Sequence, residues 1–546
     1  MSPDKIRKLE VSEDINWPVV IIIVIGTFMA ILDSSIVNVA LPKMMAVFGA
    51  NTDKIEWVLT AYMLTLGVVM PLSGYLGDTF GYKRCYFAAL TLFVFGSALC
   101  GLAWSVNSMI VARVIQACGG GILQPLGMAL IYKACPRNKI GMVLGVWGIA
   151  TGAAPAIGPT LGGYLVQYVN WRMIFYINLP VGIINMFLVL NYLHETDLTK
   201  GKRLDLGGII LSSVGFFCLL LALSDGVTDG WTSPYIVSLL LIAFISLAIF
   251  IVNELRNPEP ILDLRLFKNF IFTLAVILGS ILSVSLFGAI FLMPIMIQNV
   301  LGQTAMKSGL ILFPAALVSM VVMPISGRLF DRFGARGIVI IGLALLTWTT
   351  YKMGSFNDLT PFAAMTMWLG IRSIGMGLTL MPTMTAGMNT VPPHLIGRAS
   401  AINNVIRQVF AAFGIAMFNT IMQNRQMFHF ANLARSVNMD SNMALALQRQ
   451  LQGLVAHIGI KVFSITMPTG TIPPAATPQM LGLYIIGLKI GELSMIQAID
   501  DCYIVAAALC FFGLLLSPFL RDRKRAAIQH EEPAARSETK PLAAEG

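Results

Sequence analysis

Apolar residues in this chain neither alternate nor keep to one helical face; they run on in blocks of about 20, the length that crosses a bilayer's hydrocarbon as a helix. Six such blocks are predicted as helices near 17–40, 55–77, 85–103, 108–132, 141–165 and 172–193. Two follow at 206–224 and 235–252, then six at 270–298, 308–327, 337–353, 361–386, 397–420 and 499–520, fourteen in all. Polar segments flank the middle pair, which reads as an insert between two bundles. The expected organisation is a first bundle over 1–198, an insert over 199–260, five helices of a second bundle over 261–420, an outer loop over 421–498, a last helix over 499–520 and a tail over 521–546. Within the loop, Arg425–Gln452 reads as a polar helix and Pro468–Pro478 as a turn. Met480–Ile490 is apolar but short, so it is expected to lie on or dip into the membrane surface.

Composition agrees with an all-α integral membrane protein. Of 546 residues, 56% are hydrophobic and only 12% charged, against about a quarter charged in soluble domains. Mean hydropathy is +0.77. The net charge of +10 sits in short clusters between apolar runs, which speaks for membrane orientation and against nucleic acid. Seven cysteines form no C-x-x-C pair and imply neither a disulfide framework nor a metal site. The polar first 16 residues, with Lys5, Arg7 and Lys8, read as a cytoplasmic tail and not as a cleaved signal.

One charged connection occurs twice. Gly74-Tyr-Leu-Gly77-Asp78-Thr-Phe-Gly81-Tyr-Lys83-Arg84 returns as Gly327-Arg-Leu-Phe-Asp331-Arg332-Phe-Gly334-Ala-Arg336, again between apolar runs. A repeat at half-chain distance in the same hydropathy context describes two related halves. Lys and Arg concentrate in the even-numbered connections, which places both termini and both copies of the repeat in the cytoplasm.

This segment resembles the signature loop between helices 2 and 3 of the major facilitator superfamily of secondary transporters, and fourteen spans narrow the resemblance to its drug:proton antiporter branch of multidrug exporters. The resemblance implies a conformational latch on the cytoplasmic side from Gly74, Gly77, Asp78, Gly81, Lys83, Arg84, Asp331 and Arg332, in which Asp78 caps a neighbouring helix or pairs with a base such as Arg84. It covers nearly the whole chain except the long outer loop and the last 20 residues.

A carboxylate inside a spanning helix costs about 2.5–3.5 kcal/mol on insertion scales, so Asp33 needs a reason to be there. Proton carriage is the expected one, because an apolar setting favours the protonated form of a carboxyl. Asp33, Asn38 and Pro42 also fall on the first-helix motif of the resembled branch. Arg113 supplies a cation in the fourth helix, with Gln116 and Gly120 on its face. A guanidinium keeps its charge, so its distance from Asp33 would set how firmly the proton is held. The stretch from Arg113 resembles the superfamily's proton-transfer motif, with Ala117 where glycine is usual.

In the fifth helix Gly141, Gly145, Gly148, Gly152, Ala156, Pro159 and Gly163 recur every three or four residues, a smooth stripe that lets another helix approach. Gly152, Pro155, Gly158, Pro159, Gly162 and Gly163 resemble the antiporter motif of exporters. Trp171 to Pro180 resembles a further motif of the branch and reads as an interfacial aromatic anchor. In the second half Arg372, Met381, Asn404 and Arg407, together with Asn38, Gln116 and Met293, are candidates for a substrate cavity whose methionines could adapt to varied shapes. No acid as deep as Asp33 lies there, which assigns proton work to the first half.

The expected function is proton-coupled export of amphipathic, cationic small molecules by alternating access, in the bacterial cytoplasmic (inner) membrane. No cofactor is expected, the proton gradient being the energy source; there is no G-x-x-x-x-G-K-[ST] loop and no enzyme activity is implied. Partners are the substrates, protons and the bilayer, with a periplasmic adaptor where an outer membrane exists, the chain otherwise being a monomer. A lipid or lipid-precursor exporter, or a solute:proton symporter of the same fold, are the alternatives.

Overall fold

The computed structural model describes residues 15–136, 139–195, 205–436 and 478–520. Among them every long element is helical. The first half comprises α1 (Trp17–Phe48), α2 (Thr52–Val69), α3 (Leu72–Phe80), α4 (Tyr82–Leu102), α5 (Val106–Ala134), α6 (Ile140–Tyr168), α7 (Met173–Tyr176) and α8 (Asn178–Tyr192). Then come α9 (Leu206–Asp225) and α10 (Pro234–Arg256). The second half comprises α11 (Phe270–Ile295), α12 (Ala305–Phe333), α13 (Ala335–Met353), α14 (Phe362–Met388), α15 (Ile396–Ser436) and α16 (Pro478–Leu516).

Ten helices among the described residues are long and apolar enough to cross a membrane, twelve if each of two bent pairs is one span. One pair is α2 with α3, bent by 54°; the other is α6, bent by 45° between Pro155 and Ile157. Proline explains the second bend, since it removes a ladder hydrogen bond and crowds the preceding turn. Helices α13 and α14, of 19 and 27 residues, fall outside that apolar group. The fold is all-α, with the two halves packed along α6 and α12 and again where α15 meets α3 and α5.

The insert is a helical hairpin with a defined seat. Helix α9 packs on α10, on α2 of the first half and on α15 of the second. Leu64, Leu220, Leu221, Ile236 and Leu239 bury one another there, and the indole N–H of Trp231 donates to Thr420 Oγ1 at 2.9 Å. The hairpin therefore spans the seam between the halves.

Two helix bounds differ from the sequence reading by more than ten residues. The helix expected to end at 420 continues to Ser436, and the last helix starts at Pro478, well before 499. Met480–Ile490 is thus the first part of that last helix and not a separate segment lying on the surface. The extensions hold each other: Arg425 Nε and His429 Nε2 both meet Asp501 Oδ2, at 2.6 and 2.7 Å. The turn around Pro468, the N-terminal tail to residue 14 and the tail from 521 lie outside the described residues, as does most of the polar stretch ending at Gln452.

Candidate functional site

Two glycine contacts set the first cluster. A Cβ on Gly96 of α4 would lie 2.5 Å from the Gln116 backbone, and one on Gly119 of α5 would lie 2.3 Å from the Ala89 carbonyl oxygen. With no Cβ at either place, α4 and α5 touch backbone to backbone, and Gln116 reaches Ser97 with its Nε2 2.6 Å from Oγ.

On that support a buried ion pair closes. Arg113 Nη1 donates to Asp33 Oδ2, and both side chains are fully enclosed. Asp33 Oδ1 accepts from Gln116 Nε2 at 2.8 Å and from Asn178 Nδ2 at 2.9 Å. Arg113 also donates from Nη1 to Gln116 Oε1 at 2.7 Å and from Nε to the Val58 carbonyl at 3.3 Å, with its guanidinium 3.8 Å above the Tyr62 ring. Its Nη2 has no partner among the described residues. Five helices, α1, α2, α4, α5 and α8, thus meet at one charge pair. Breaking a buried pair by removing one partner costs about 3–5 kcal/mol, because the survivor is left uncompensated. Whatever neutralises Asp33 therefore acts on all five helices at once.

The structure brings Asp33 and Arg113 together and adds Gln116, expected at a substrate cavity, to the same cluster; sequence reasoning missed Ser97 and Asn178. Asn178 sits in the stretch read as an interfacial anchor. Trp171 is in fact 3% exposed and packs edge-on against Phe48 and Phe175, so the stretch turns inward and delivers Asn178 to Asp33. The signal was an amide side chain directly before Leu-Pro at a helix start. Asn38, expected near the cavity, is exposed on α1 and outside the cluster.

The repeated connection lies at one end of the bundle, here called the motif end. Asp331 accepts from the backbone N–H groups of Gly141 at 3.0 Å and Met142 at 2.8 Å, so the acid of the second half caps the first turn of α6 in the first half. Asp78 takes the mirror position: it accepts from the Tyr82 hydroxyl at 2.9 Å, and its Oδ2 lies 4.0 Å from Nε of Arg398 at the start of α15. Arg84 pairs with Glu195 instead, at 3.5 Å, so the base facing Asp78 comes from the opposite half and not from the same loop. Lys83 donates from Nζ to the Leu190 carbonyl at 2.9 Å, and Arg332 lies exposed over Phe333. Gly81 and Gly334 both end their helices at positive φ, +94° and +82°, a backbone setting that glycine tolerates best. Gly77 packs under Leu126 and Tyr82, and Gly74 under Gly397.

The stripe on α6 serves two neighbours. Gly141, Gly145, Gly148 and Gly152 face α12, against Gly327, Met323 and Pro324, and Gly163 faces Met306; Gly158 and Gly162 face Ser35 and Ile36 of α1. Pro155 and Pro159 flank the bend between these two surfaces.

In the second half, Arg372 Nη2 donates to the Ser285 carbonyl at 2.7 Å and its Oγ at 3.0 Å. Arg407 Nη2 reaches across the halves to Gln124 Oε1 at 2.9 Å and to Asn404 Oδ1 at 3.3 Å. It lines a recess with Ser280, Leu380, Met384 and Asn403. Met293 is enclosed beneath the Tyr503 hydroxyl, and Met381 packs where α6 passes at Gly148. Neither of these two methionines lines the recess, where Met384 stands instead. No group of three or more potential metal ligands occurs among the described residues.

A sequence model described as the Major Facilitator Superfamily matches residues 23–415. An uncharacterized MFS-type transporter of Bacillus subtilis (strain 168), YhcA, is 38% identical over 508 residues, 92% of this chain and 93% of that protein. The multidrug transporter protein MdtP of the same organism is 30% identical over 528 residues, 94% and 95% of the two chains. Among solved structures, the human organic anion transporter MFSD10 (TETRAN) superposes with a TM-score of 0.57 at 14% identity, covering 92% of this chain and 99% of that one, a likeness of fold.

Proposed function

The chain belongs to the Major Facilitator Superfamily, and on that footing we propose that it is a proton-coupled exporter of amphipathic small molecules, working by alternating access. The observation that carries the reading is the enclosed Asp33–Arg113 pair, tied by Gln116 and Asn178 to five helices. The multidrug function of the relative MdtP, similar over nearly the whole chain, supports the substrate class.

A proton arriving at Asp33 cancels the charge that holds Arg113. The guanidinium then keeps only Val58, Gln116 and the Tyr62 face, and α1 and α5 are free to shift. When the proton leaves, the pair closes again. A cationic substrate can use Asp33 as counter-charge only while Arg113 has withdrawn, so proton and cation would compete for one carboxyl. Each inward proton supplies about 2.3 kcal/mol per 100 mV and about 1.4 per pH unit, enough to concentrate a neutral substrate well over tenfold. No cofactor enters this scheme.

The reading places the protein in a bacterial cytoplasmic membrane with both termini inside and fourteen spans, α13 and α14 joining the twelve more apolar ones. It works as a monomer, with an adaptor extending the exit path where an outer membrane exists. The test is ethidium efflux and ethidium-induced proton release with Asp33→Asn. The expected variant inserts normally, loses uphill efflux and releases no proton; parental proton release would place the carrier elsewhere.

A further inference from the structure

The two halves repeat each other more closely than their shared loop shows. Asp33 stands nine residues before Pro42 of α1, and Ser285 stands nine residues before Pro294 of α11, the opening helix of the second half. Arg113 lies in the fourth spanning helix of its half and bonds to Asp33; Arg372 lies in the fourth helix of the second half and bonds to Ser285. Three residues on, Gln116 supplies the amide that grips Asp33, whereas Gly375 supplies nothing.

We propose that the Ser285–Arg372 pair is the second half's copy of the proton site with its acid removed, so that one carboxyl, Asp33, carries the coupling proton in this pair of sites. The inference rests on the coupling role assigned above.

A serine hydroxyl has no proton to release in the physiological range, and a guanidinium does not deprotonate, so the charge at this second site is the same in every state of the cycle. The groups around Arg372 agree. It is 6% exposed, its Nε has no partner among the described residues, and its titratable neighbours are Tyr503 and Cys510 of α16; Cys510 Sγ lies 3.4 Å from Ser285 Oγ. Among the described residues no ion pair joins an acid to it. On α16 Asp501 is engaged by Arg425 and His429 and Glu492 by Lys489, leaving Asp500 as the acid to be tested there. A charge that is fixed cannot switch packing at this site, so through Ser285 and Arg372 the second bundle only follows the first across their shared surfaces.

Acid-minus-alkaline infrared difference spectra of the purified full chain in detergent test this, since each carboxyl that takes a proton adds its own C=O band. Asp33→Asn is expected to remove a band, Arg372→Gln and Asp500→Asn to leave that band in place, and Ser285→Asp to add one. In liposomes with the membrane potential held at zero, the pH gradient at which ethidium flux reverses should give one coupled proton for the parent and two for Ser285→Asp. Loss of the Asp33 band in Arg372→Gln or Asp500→Asn, or a parental ratio of two that Arg372→Gln halves, would overturn the inference. Should Ser285→Asp not accumulate, Arg372→Gln and the parental ratio still decide. A parent whose ethidium export survives Asp33→Asn would sink the coupling role itself, a separate outcome.

Discussion

Gly327 of α12 meets Gly141 of α6 so closely that a Cβ on Gly327 would fall 2.1 Å from the Gly141 carbonyl oxygen. The related pair, Gly74 on Gly397, leaves 2.9 Å to the carbonyl oxygen. At both places the obstacle is backbone, which cannot turn aside as a side chain can. Gly327→Ala is therefore expected to keep the motif end from closing, and Gly74→Ala to do so less severely. Ser400 reports the state, because its hydroxyl donates to the Pro125 carbonyl across the halves at 2.7 Å. A cysteine at 400 should react slowly with maleimide in the parent and fast beside Gly327→Ala; equal rates would refute the wedge.

Asp331 gives a milder handle on the same closure. Removing a carboxylate cap costs about 1–2 kcal/mol, and every 1.4 kcal/mol is about tenfold in an equilibrium. Asp331→Ala should thus lower the ratio of closed to open motif ends about tenfold, slowing turnover while substrate still binds. The same maleimide rate checks it, and Asp331→Glu should recover part of the loss.

Along α6, the rank of glycine substitutions follows what each would strike. A Cβ on Gly145 would lie 2.5 Å from the Met323 carbonyl oxygen, whereas one on Gly152 would meet the mobile end of Met323 at 2.3 Å. Gly145→Ala should abolish export, Gly152→Ala should be tolerated, and Gly152→Leu should fail because Met323 cannot clear a branched side chain. Initial efflux rates at matched membrane levels decide the order.

Arg113→Lys keeps the charge and loses the shape. A single ammonium cannot serve Asp33, Gln116 and the Val58 carbonyl in one plane while lying on the Tyr62 ring. Uphill efflux should fall by at least about tenfold, approaching the loss in Arg113→Gln, because breaking such a buried network costs several kcal/mol. Retention of full coupling would show that charge alone suffices.

The sequence made the halves, the insert and the Asp33–Arg113 pair legible because each rests on local information: a repeated turn, polar flanks, a charge inside an apolar run. The rest depends on contacts between distant helices. Nothing in the Gly74–Arg84 stretch announces that Asp78 will face Arg398 across the seam, since Arg84 is nearer in sequence and equally basic. Asn178 was hidden by the aromatic residues before it, whose burial depends on Phe48 from another helix. The helix ends at 436 and 478 were missed because hydropathy marks where the membrane stops, not where the backbone ladder does.

That last difference has a mechanical consequence. Helix α15 runs unbroken for 41 residues from the closure at Gly397, about 60 Å, twice the hydrocarbon thickness of a bilayer, which is long enough to carry its tip about 30 Å beyond it. It is a rigid boom pivoted inside the bilayer, cross-braced to α16 by Asp501. A rotation of about 15° at the bilayer midplane, the size of known rigid-body switches, would sweep a tip about 45 Å away through about 12 Å. Whatever the chain carries on that tip is told, at a distance, which way the transporter faces.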